Sequence, residues 1–324
     1  MTGLPNWLSV ALNGTLDAVS RGALRDSAQT ISDTYRAGGT SQIIRSDHDA
    51  LAYAVVRMPA TYAAVRASLA QAMQIIPQFA PRAILDVGAG PGTASWAAAD
   101  AWPSIERTTL IDSNARLLAL ARQLTASLDV PGFEATLLQG EAAEALKGAS
   151  MADVVMASYA LTEIAPAALT GILTQLWALT GRLLVLVEPG TMNGFKRILA
   201  YRDVLLANGA QIIAPCSHAG LCPLSESARW CHFSERLPRS RDHQITKSAS
   251  VPYEDEKFSY LIAGKGFTGL SRGQRILATP NVSKGGISLT LCAPECAEEH
   301  IVARSDKATY KKAKHYAWGD AIGL

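Results

Sequence analysis

The sequence predicts an α/β protein in which a mostly parallel sheet follows an N-terminal helical region. Three observations support this prediction. Apolar residues recur at helical spacing within the first 80 residues, short β-rich runs alternate with helical runs from residue 82, and a glycine-rich turn directly follows the first of those runs. With 48% apolar and 18% charged residues in 324, the composition is that of a globular protein with a sizeable core.

The first 80 residues are predicted to be helical. Asp47 or Asp49 is a candidate cap for the main helix of this region. No catalytic pattern occurs here, so we expect a helical cap or a partner surface. We therefore divide the chain into a helical region, residues 1–80, and a Rossmann-like domain, residues 81–324. The apolar positions that recur at three- and four-residue steps are Tyr53, Val56, Ala60, Ala64 and Leu69.

The alternating part of the chain is typical of parallel strands joined by crossover helices. The predicted helices are Ala115–Leu128, Ala167–Leu179 and Asn193–Asn208. The last two of seven strands are joined without an obvious helix, which favours the methyltransferase variant of the Rossmann sheet. Residues 212–255 are predicted to be an irregular, cysteine-rich insertion. The seven predicted strands are Ala83–Val87, Thr108–Ile111, Ala135–Leu138, Val154–Ser158, Leu183–Val187, Phe258–Ala263 and Ile287–Cys292.

A glycine loop follows the first predicted strand. Asp86 ends that strand, where its carboxylate could hold a cationic amino-acid group, and Gly88, Ala89, Gly90 and Gly92 come next. Glycines let the backbone turn tightly and approach a ligand closely. The alternative is a turn that serves packing alone, but the flanking strand, helix and acidic residues favour a cofactor site.

Further polar residues follow the later strands, at the sheet edge where a doubly wound fold binds its ligand. Asp112 ends the second strand, and its carboxylate can accept hydrogen bonds from ribose hydroxyls. The third glycine of the dinucleotide-binding pattern is replaced by Thr93, which favours S-adenosylmethionine over NAD. No catalytic residue is identifiable. The remaining candidate cofactor-binding residues are Ser113, Gly140, Glu141, Ser158 and Tyr159.

Four cysteines form a second candidate site. Cys216, Cys222 and Cys231 are five to eight residues apart in intervening sequence, and Cys292 ends the last predicted strand. Their thiolates could hold zinc or an iron–sulfur cluster, and the wide gaps favour the larger group. His218 and His232 are alternative zinc ligands. Buried unrelated cysteines, a redox pair, or Cys216 as a nucleophile are the other interpretations.

The chain resembles a known family, namely the methyltransferase-like proteins that assemble the small ribosomal subunit of mitochondria and their bacterial counterparts. The resemblance covers nearly the whole chain, and the cysteine block is its most specific part. The motifs that carry it are Tyr53-Ala-Val-Val-Arg-Met-Pro-Ala-Thr-Tyr62, Leu85–Gly92, Glu188-Pro-Gly190, Ala214-Pro-Cys-Ser-His-Ala-Gly-Leu-Cys-Pro223, Trp230-Cys-His-Phe233, Cys292 and Trp318-Gly-Asp320.

The resemblance implies a class I S-adenosylmethionine-dependent methyltransferase fold with a seven-stranded sheet, and association with small-subunit rRNA. It also implies a [4Fe-4S] cluster ligated by Cys216, Cys222, Cys231 and Cys292, whereas Cys296 has no counterpart. Methyl transfer remains open, because the family includes binding factors. We expect RNA contacts from two basic stretches, whose candidate residues are Arg236, Arg239, Arg241, Lys247, Lys311, Lys312 and Lys314.

Two alternatives remain. One is a non-catalytic RNA-binding assembly factor whose cluster is structural or senses iron or redox state, and the other is a small-molecule methyltransferase with a structural zinc site. The net charge of +2 does not by itself favour a nucleic-acid partner. Neither a membrane span nor a targeting segment is recognisable, so a cytoplasmic bacterial protein is expected. We also expect the protein to be a monomer.

Overall fold

Three helices form the N-terminal region of this computed structural model, which describes residues 2–16, 19–127, 133–294 and 296–323. The longest helix is capped by Ser46 and not by the predicted Asp47 or Asp49. Ser46 accepts from the backbone N–H of Asp49, and the Asp49 carboxylate accepts from the backbone N–H of Ser46. This reciprocal capping box fixes the helix start. The helices are α1 (Asn6–Leu16), α2 (Arg21–Arg36) and α3 (Asp47–Ile75).

Eight strands form the main sheet. The first five are parallel to one another, and β8 runs antiparallel to β5, β6 and β7. The order is β3-β2-β1-β4-β5-β8-β6, with β7 paired to β8. An antiparallel strand between the fifth and sixth is the arrangement of the class I methyltransferase fold. The strands are β1 (Ala83–Val87), β2 (Arg107–Asp112), β3 (Glu134–Gln139), β4 (Ala152–Ser158), β5 (Thr180–Pro189), β6 (Gln211–Ala214), β7 (Phe233–Pro238) and β8 (Tyr253–Gly264).

Two details of the predicted sheet are wrong. Ile287–Cys292 is a strand but belongs to a separate sheet, and the sixth strand of the main sheet is the short β6. An apolar alternation predicts a strand without specifying its partners. The predicted irregular insertion, residues 212–255, contains the end of β6, all of β7 and a helix at Arg241–Lys247. Its longest segment without helix or strand is 215–232, called the cysteine loop below.

Helices cover both faces of the main sheet. One face packs against α1, α2 and α3 together with α4 and α5, and the other packs against α7 and α8. The predicted end of α5 at Leu128 lies outside the described residues. Within the described residues, no helix is long and apolar enough to cross a membrane. The remaining helices are α4 (Thr93–Ala101), α5 (Ala115–Ala126), α6 (Ala142–Ala145), α7 (Pro166–Leu179), α8 (Met192–Ala207), α9 (Arg241–Lys247) and α10 (Lys307–Ala313).

The C-terminal residues build a small sheet with a core of its own. Its strands run in the order β10-β11-β12, and Ile287, Leu289 and Leu291 of β11 are buried beneath α10. A bridge between Ile276 and Leu291 ties this sheet to a two-stranded ribbon. Cys292 is thereby held at the end of β11. The strands are β9 (Gln274–Arg275), β10 (Asn281–Val282), β11 (Gly286–Cys292), β12 (Ala297–Ala303) and β13 (Ala321–Ile322).

Candidate functional site

A cavity of about 960 Å³ opens at the carboxyl ends of the parallel strands. We call it the strand-end cavity. This is the edge at which doubly wound sheets bind their ligands, because the turns after neighbouring strands converge there. Of the candidate cofactor-binding residues, the structure brings together on its wall Gly88, Gly90, Asp112, Ser113, Gly140, Glu141, Ser158 and Tyr159.

The two loop glycines on the cavity wall have backbone geometry that favours glycine. Gly88 and Gly90 have φ values of 69° and 55°, in the left-handed region. A side chain at Gly88 would also collide with the methyl group of Ala160. The loop therefore combines a tight turn with backbone that a ligand can approach closely.

Asp112 connects the glycine loop to the end of β2. Its Oδ2 accepts from the backbone N–H of Gly90 at 2.7 Å, and its Oδ1 accepts from the backbone N–H of Asn114 at 2.8 Å. Burial raises the pKa of the Asp112 carboxyl above its ordinary value, although both hydrogen bonds oppose the shift. Each carboxylate oxygen has a second lone pair, so the same group can also accept from a ligand in the cavity.

Asp86, Ala89 and Gly92 lie outside the cavity wall. Asp86 is fully buried and accepts from the backbone N–H and the hydroxyl of Ser95 at 3.1 and 2.9 Å. Burial raises the pKa of Asp86 to about 7. The structure therefore places this carboxyl against the first turn of α4, where it holds the glycine loop to the helix.

The N-terminal helices supply a wall that the sequence did not predict. The backbone N–H and the hydroxyl of Ser41 donate to Glu163 at 3.0 and 2.8 Å, and the Asn114 side chain donates to the carbonyl of Ser41 at 2.9 Å. The segment between α2 and α3 is thus fastened to loops after β2 and β4. The N-terminal cavity residues that the sequence did not predict include Tyr35, Ser41, Tyr53 and Arg57, and those from later elements include Glu163 and Arg197.

Tyr159 is held in a strained conformation at the end of β4. Its φ of 59° is unusual for a residue with a side chain, and its hydroxyl donates to Glu256 at 2.9 Å. Arg57 donates to the same Glu256 oxygen at 3.3 Å. Burial, followed by the charge of Glu256, raises the pKa of Tyr159 well above its ordinary value. The phenol is therefore neutral and fixed at the cavity wall.

The structure brings the four candidate ligand cysteines together. Cys216, Cys222, Cys231 and Cys292 line a second, apolar cavity, which we call the cysteine cavity. Three come from the cysteine loop and the fourth from the end of β11. Cys296 is exposed and lies outside this cavity. Sequence spacing could not show this convergence, because it depends on how the two sheets pack.

The cysteine sulfurs influence one another electrostatically. Burial, followed by the neighbouring Cys216 and Cys222, raises the pKa of Cys292 to about 12. A cationic group bound among the four thiols would favour their ionisation. Within the described ranges, no three His, Cys, Asp or Glu side chains are grouped tightly enough to chelate one metal ion. The predicted metal centre is therefore not shown by the structure.

The β5–α8 connection and α8 lie between the two cavities, because Pro189 and Arg197 line the strand-end cavity and Arg202 lines the cysteine cavity. The indole N–H of Trp230 donates to the carbonyl of Gly190 at 2.9 Å, which ties the cysteine loop to the turn after β5. The Tyr201 hydroxyl donates to buried Glu188 at 2.9 Å, and burial raises the pKa of Glu188 to about 7. Arg202, the next residue of α8, lines the cysteine cavity. The β5–α8 connection is therefore a shared wall.

The two predicted basic stretches differ in their pairing. Arg236 makes two hydrogen bonds with Asp255, at 2.7 and 2.8 Å, while Arg239 and Lys247 both bind Glu254. Arg241 is exposed at the start of α9. Lys311, Lys312 and Lys314 are also exposed, and in the described part of the chain none of the three forms an ion pair. The second stretch is the better candidate for contacts with phosphate groups.

Comparison with known families assigns the chain. The model of the family described as mitochondrial small ribosomal subunit Rsm22 matches residues 47–323. The chain belongs to this family. It is 27% identical over 294 residues to the human ribosome assembly protein METTL17, mitochondrial, with 84% of this chain and 62% of that protein covered. It is 25% identical over 333 residues to the Rsm22-cox11 tandem protein 1, mitochondrial, of Schizosaccharomyces pombe, with 86% and 44% covered.

The Rsm22-family chain therefore spans about three fifths of the human relative and less than half of the yeast one. Among solved structures, an O-methyltransferase family protein from Burkholderia thailandensis is 14% identical with a TM-score of 0.46, covering 78% of this chain and 74% of that one. A likeness this distant adds nothing to the fold assignment, which rests on the strand order. The predicted cytoplasmic bacterial location is wrong, because the family and these relatives are described as mitochondrial.

Proposed function

We propose that this Rsm22-family protein binds S-adenosylmethionine in the strand-end cavity, carries a [4Fe-4S] cluster at its four converging cysteines, and acts in assembly of the small ribosomal subunit by binding its rRNA. The observation that carries the proposal is the convergence of Cys216, Cys222, Cys231 and Cys292 on one cavity beside the cofactor fold. The name of the human relative, a ribosome assembly protein, supports the assembly role.

The cofactor part of the proposal depends on the edge of the sheet. Asp112 would accept from the ribose hydroxyls, while Gly88 and Gly90 would let the backbone approach the amino-acid end. Gly140 and Glu141 would lie beside the adenine, and Ser158 and Tyr159 beside the methyl group. Because the Tyr159 hydroxyl is already engaged by Glu256, it is poorly placed to accept a proton from a substrate. Binding of the cofactor is thus better supported than methyl transfer.

We favour an iron–sulfur cluster over zinc at the cysteine cavity because the four cysteines are widely spaced in the sequence. A tetrahedral zinc site would hold four sulfurs about 3.8 Å apart, given Zn–S bonds of about 2.3 Å. A polynuclear cluster holds its ligands further apart. When bound, the cluster would crosslink the protein through its iron–thiolate bonds and could supply one-electron chemistry. The four cysteines would hold it and thereby order the cysteine loop.

Calorimetry on anaerobically purified protein tests cofactor binding. Asp112→Asn should weaken S-adenosylmethionine binding by about 10- to 100-fold, because a hydrogen bond to a charged acceptor contributes roughly 1.5–3 kcal/mol. Asp153→Asn is the matched control. Asp153 also accepts from two backbone N–H groups, of Arg82 and Ala83 at 2.7 and 3.0 Å, but at the opposite end of β1. Absence of binding by the unmodified protein would remove the cofactor from the proposal.

Iron and sulfide analysis of the same preparation tests the cluster. About four irons per chain support it, whereas one zinc per chain without iron favours a small-molecule methyltransferase with a structural zinc site. Ribosome gradients and transfer of a labelled methyl group then separate the two remaining functions. Subunit association that survives Asp112→Asn, without label in rRNA, identifies a binding factor, and label lost with Asp112→Asn identifies an enzyme.

A further inference from the structure

Two arginines are buried in the wall of the cysteine cavity. The side chains of Arg202 and Arg275 line it, and the residues are 3% and 2% exposed. Arg202 donates to the carbonyls of His218 and Gly220 at 3.1 and 2.6 Å. Arg275 donates to the carbonyls of Pro215 and Gly319 at 3.0 and 2.7 Å, and to the side-chain oxygen of Gln71. All of these partners are neutral.

Among the described residues, neither arginine has a buried carboxylate as its counter-charge. Asp203 lies 4.0 Å from Arg202, but its side chain is 77% exposed, and no carboxylate in the described ranges forms an ion pair with Arg275. The partly buried Arg57, in contrast, has Glu256 at 3.3 Å. A buried charge left unpaired costs several kcal/mol, so burial of two arginines at one cavity calls for an anion there.

The cysteine cavity is where such an anion would lie. Four thiolates around a dicationic metal group give a formal charge of about −2, whether the group is zinc or an oxidised [4Fe-4S] core. Two guanidinium groups balance that charge. Four neutral thiols would leave both arginines uncompensated. The pairing of two buried cations with four cysteines is therefore explained by a dianionic metal–thiolate group.

We propose that Arg202 and Arg275 are the counter-charges of this metal–thiolate group and set its affinity and, for the proposed cluster, its reduction potential. This inference rests on the proposed function, since it requires metal at the four cysteines. Reduction adds one electron from an external donor and raises the negative charge by one. Two nearby cations favour that step, so their removal should lower the midpoint potential.

The test replaces each arginine with methionine, which removes the charge, and with lysine, which keeps it. Arg202→Met and Arg275→Met should lower metal affinity by roughly 10- to 100-fold and shift the midpoint potential to more negative values. The lysine variants should retain most of both. Arg66→Met is the control, because Arg66 is partly buried but has its own carboxylate, Asp100, at 3.1 Å. Iron release to a chelator and a spectroscopic redox titration are the readouts, with circular dichroism reporting the fold.

Unchanged affinity and potential in folded methionine variants would overturn the inference. Loss of metal in the lysine variants as severe as in the methionine variants would also overturn it, because the arginines would then act only by holding loop carbonyls. If the unmodified protein contains zinc, the cluster proposal fails, but chelator competition for zinc in the same variants still tests the counter-charges. If it binds no metal, both proposals fail.

Discussion

The strand-end cavity and the cysteine cavity adjoin one sheet but are assembled differently. The first is formed mostly by turns that follow successive parallel strands, so each contributes through the same local geometry. The second needs a loop without helix or strand, and a cysteine from a separate sheet. We therefore expect the first to be stable as protein alone, whereas the second would depend on the metal group proposed for its cysteines.

The largest expected effect is loss of metal from the cysteine cavity with little change in cofactor binding at the strand-end cavity. Cys222→Ser should abolish metal binding and make the cysteine loop sensitive to protease, because backbone without helix, strand or a bound metal is poorly held. The affinity for S-adenosylmethionine should change by less than about threefold. Metal analysis, limited proteolysis and calorimetry measure these three quantities. Cys296→Ser, the exposed control, should retain metal, and full metal content in Cys222→Ser would contradict the ligand assignment.

The next effect concerns the glycine loop. Gly88→Ala should destabilise the protein by about 2–5 kcal/mol, from left-handed backbone strain and a collision with Ala160. Gly209→Ala shares a positive φ, of 77°, but its side chain would meet open space, so a cost of only about 1–2 kcal/mol is expected. Urea unfolding compares the two. Equal losses would show that the close approach at Gly88 is unimportant.

The third prediction concerns Glu188, which lies in the wall between the two cavities, and the pH dependence of the protein's stability. Its folded pKa of about 7 lies above the ordinary 4.5, so between these values the folded state holds a proton that the unfolded state releases. Stability should therefore fall as pH rises through this window, by up to about 3 kcal/mol from this group. Glu188→Gln should remove that part of the slope in urea unfolding at several pH values. An unaltered slope in Glu188→Gln would contradict the raised pKa of Glu188.

The smallest effect concerns the basic surface. Lys312→Gln should reduce the dependence of log Kd on log salt by about 0.9 for binding to structured small-subunit rRNA, because one phosphate contact is lost. Arg236→Gln should change it less, since Asp255 already neutralises Arg236. Fluorescence anisotropy over a salt series measures both. A larger effect at Arg236 would place the RNA on the other basic stretch.

The sequence predicted the parallel half of the fold well, for a physical reason. Buried parallel strands are continuous apolar runs, and the predicted bounds of β1 match the structure. β6 was missed because four residues are too few for a periodic signal. The sheet to which β11 belongs was misassigned because alternation shows which face is buried and not which strand lies alongside.

The candidate sites were predictable to different degrees. Asp112 and the glycines lie at a characteristic spacing that is set by local backbone geometry, so the sequence could predict them. The closure of the strand-end cavity by Ser41 and Glu163 is a contact over 122 residues, for which no local pattern exists. Likewise, the ion pairs of Arg239 and Lys247 with Glu254 depend on how α9 packs beside β8. The positions of charged residues in a sequence do not show which of them form ion pairs in the folded protein.

The position of Cys292 on β11 has a consequence for the order in which the molecule matures. It is synthesised 76 residues after Cys216 (292 − 216), and β11 must join its own small sheet before the fourth thiol can face the other three. Contacts between residues far apart in the sequence form late in folding. Bringing such residues together costs chain entropy, which is offset only when the stabilising interactions around them have formed. We therefore expect the proposed metal to bind after most of the protein has folded and not to nucleate folding.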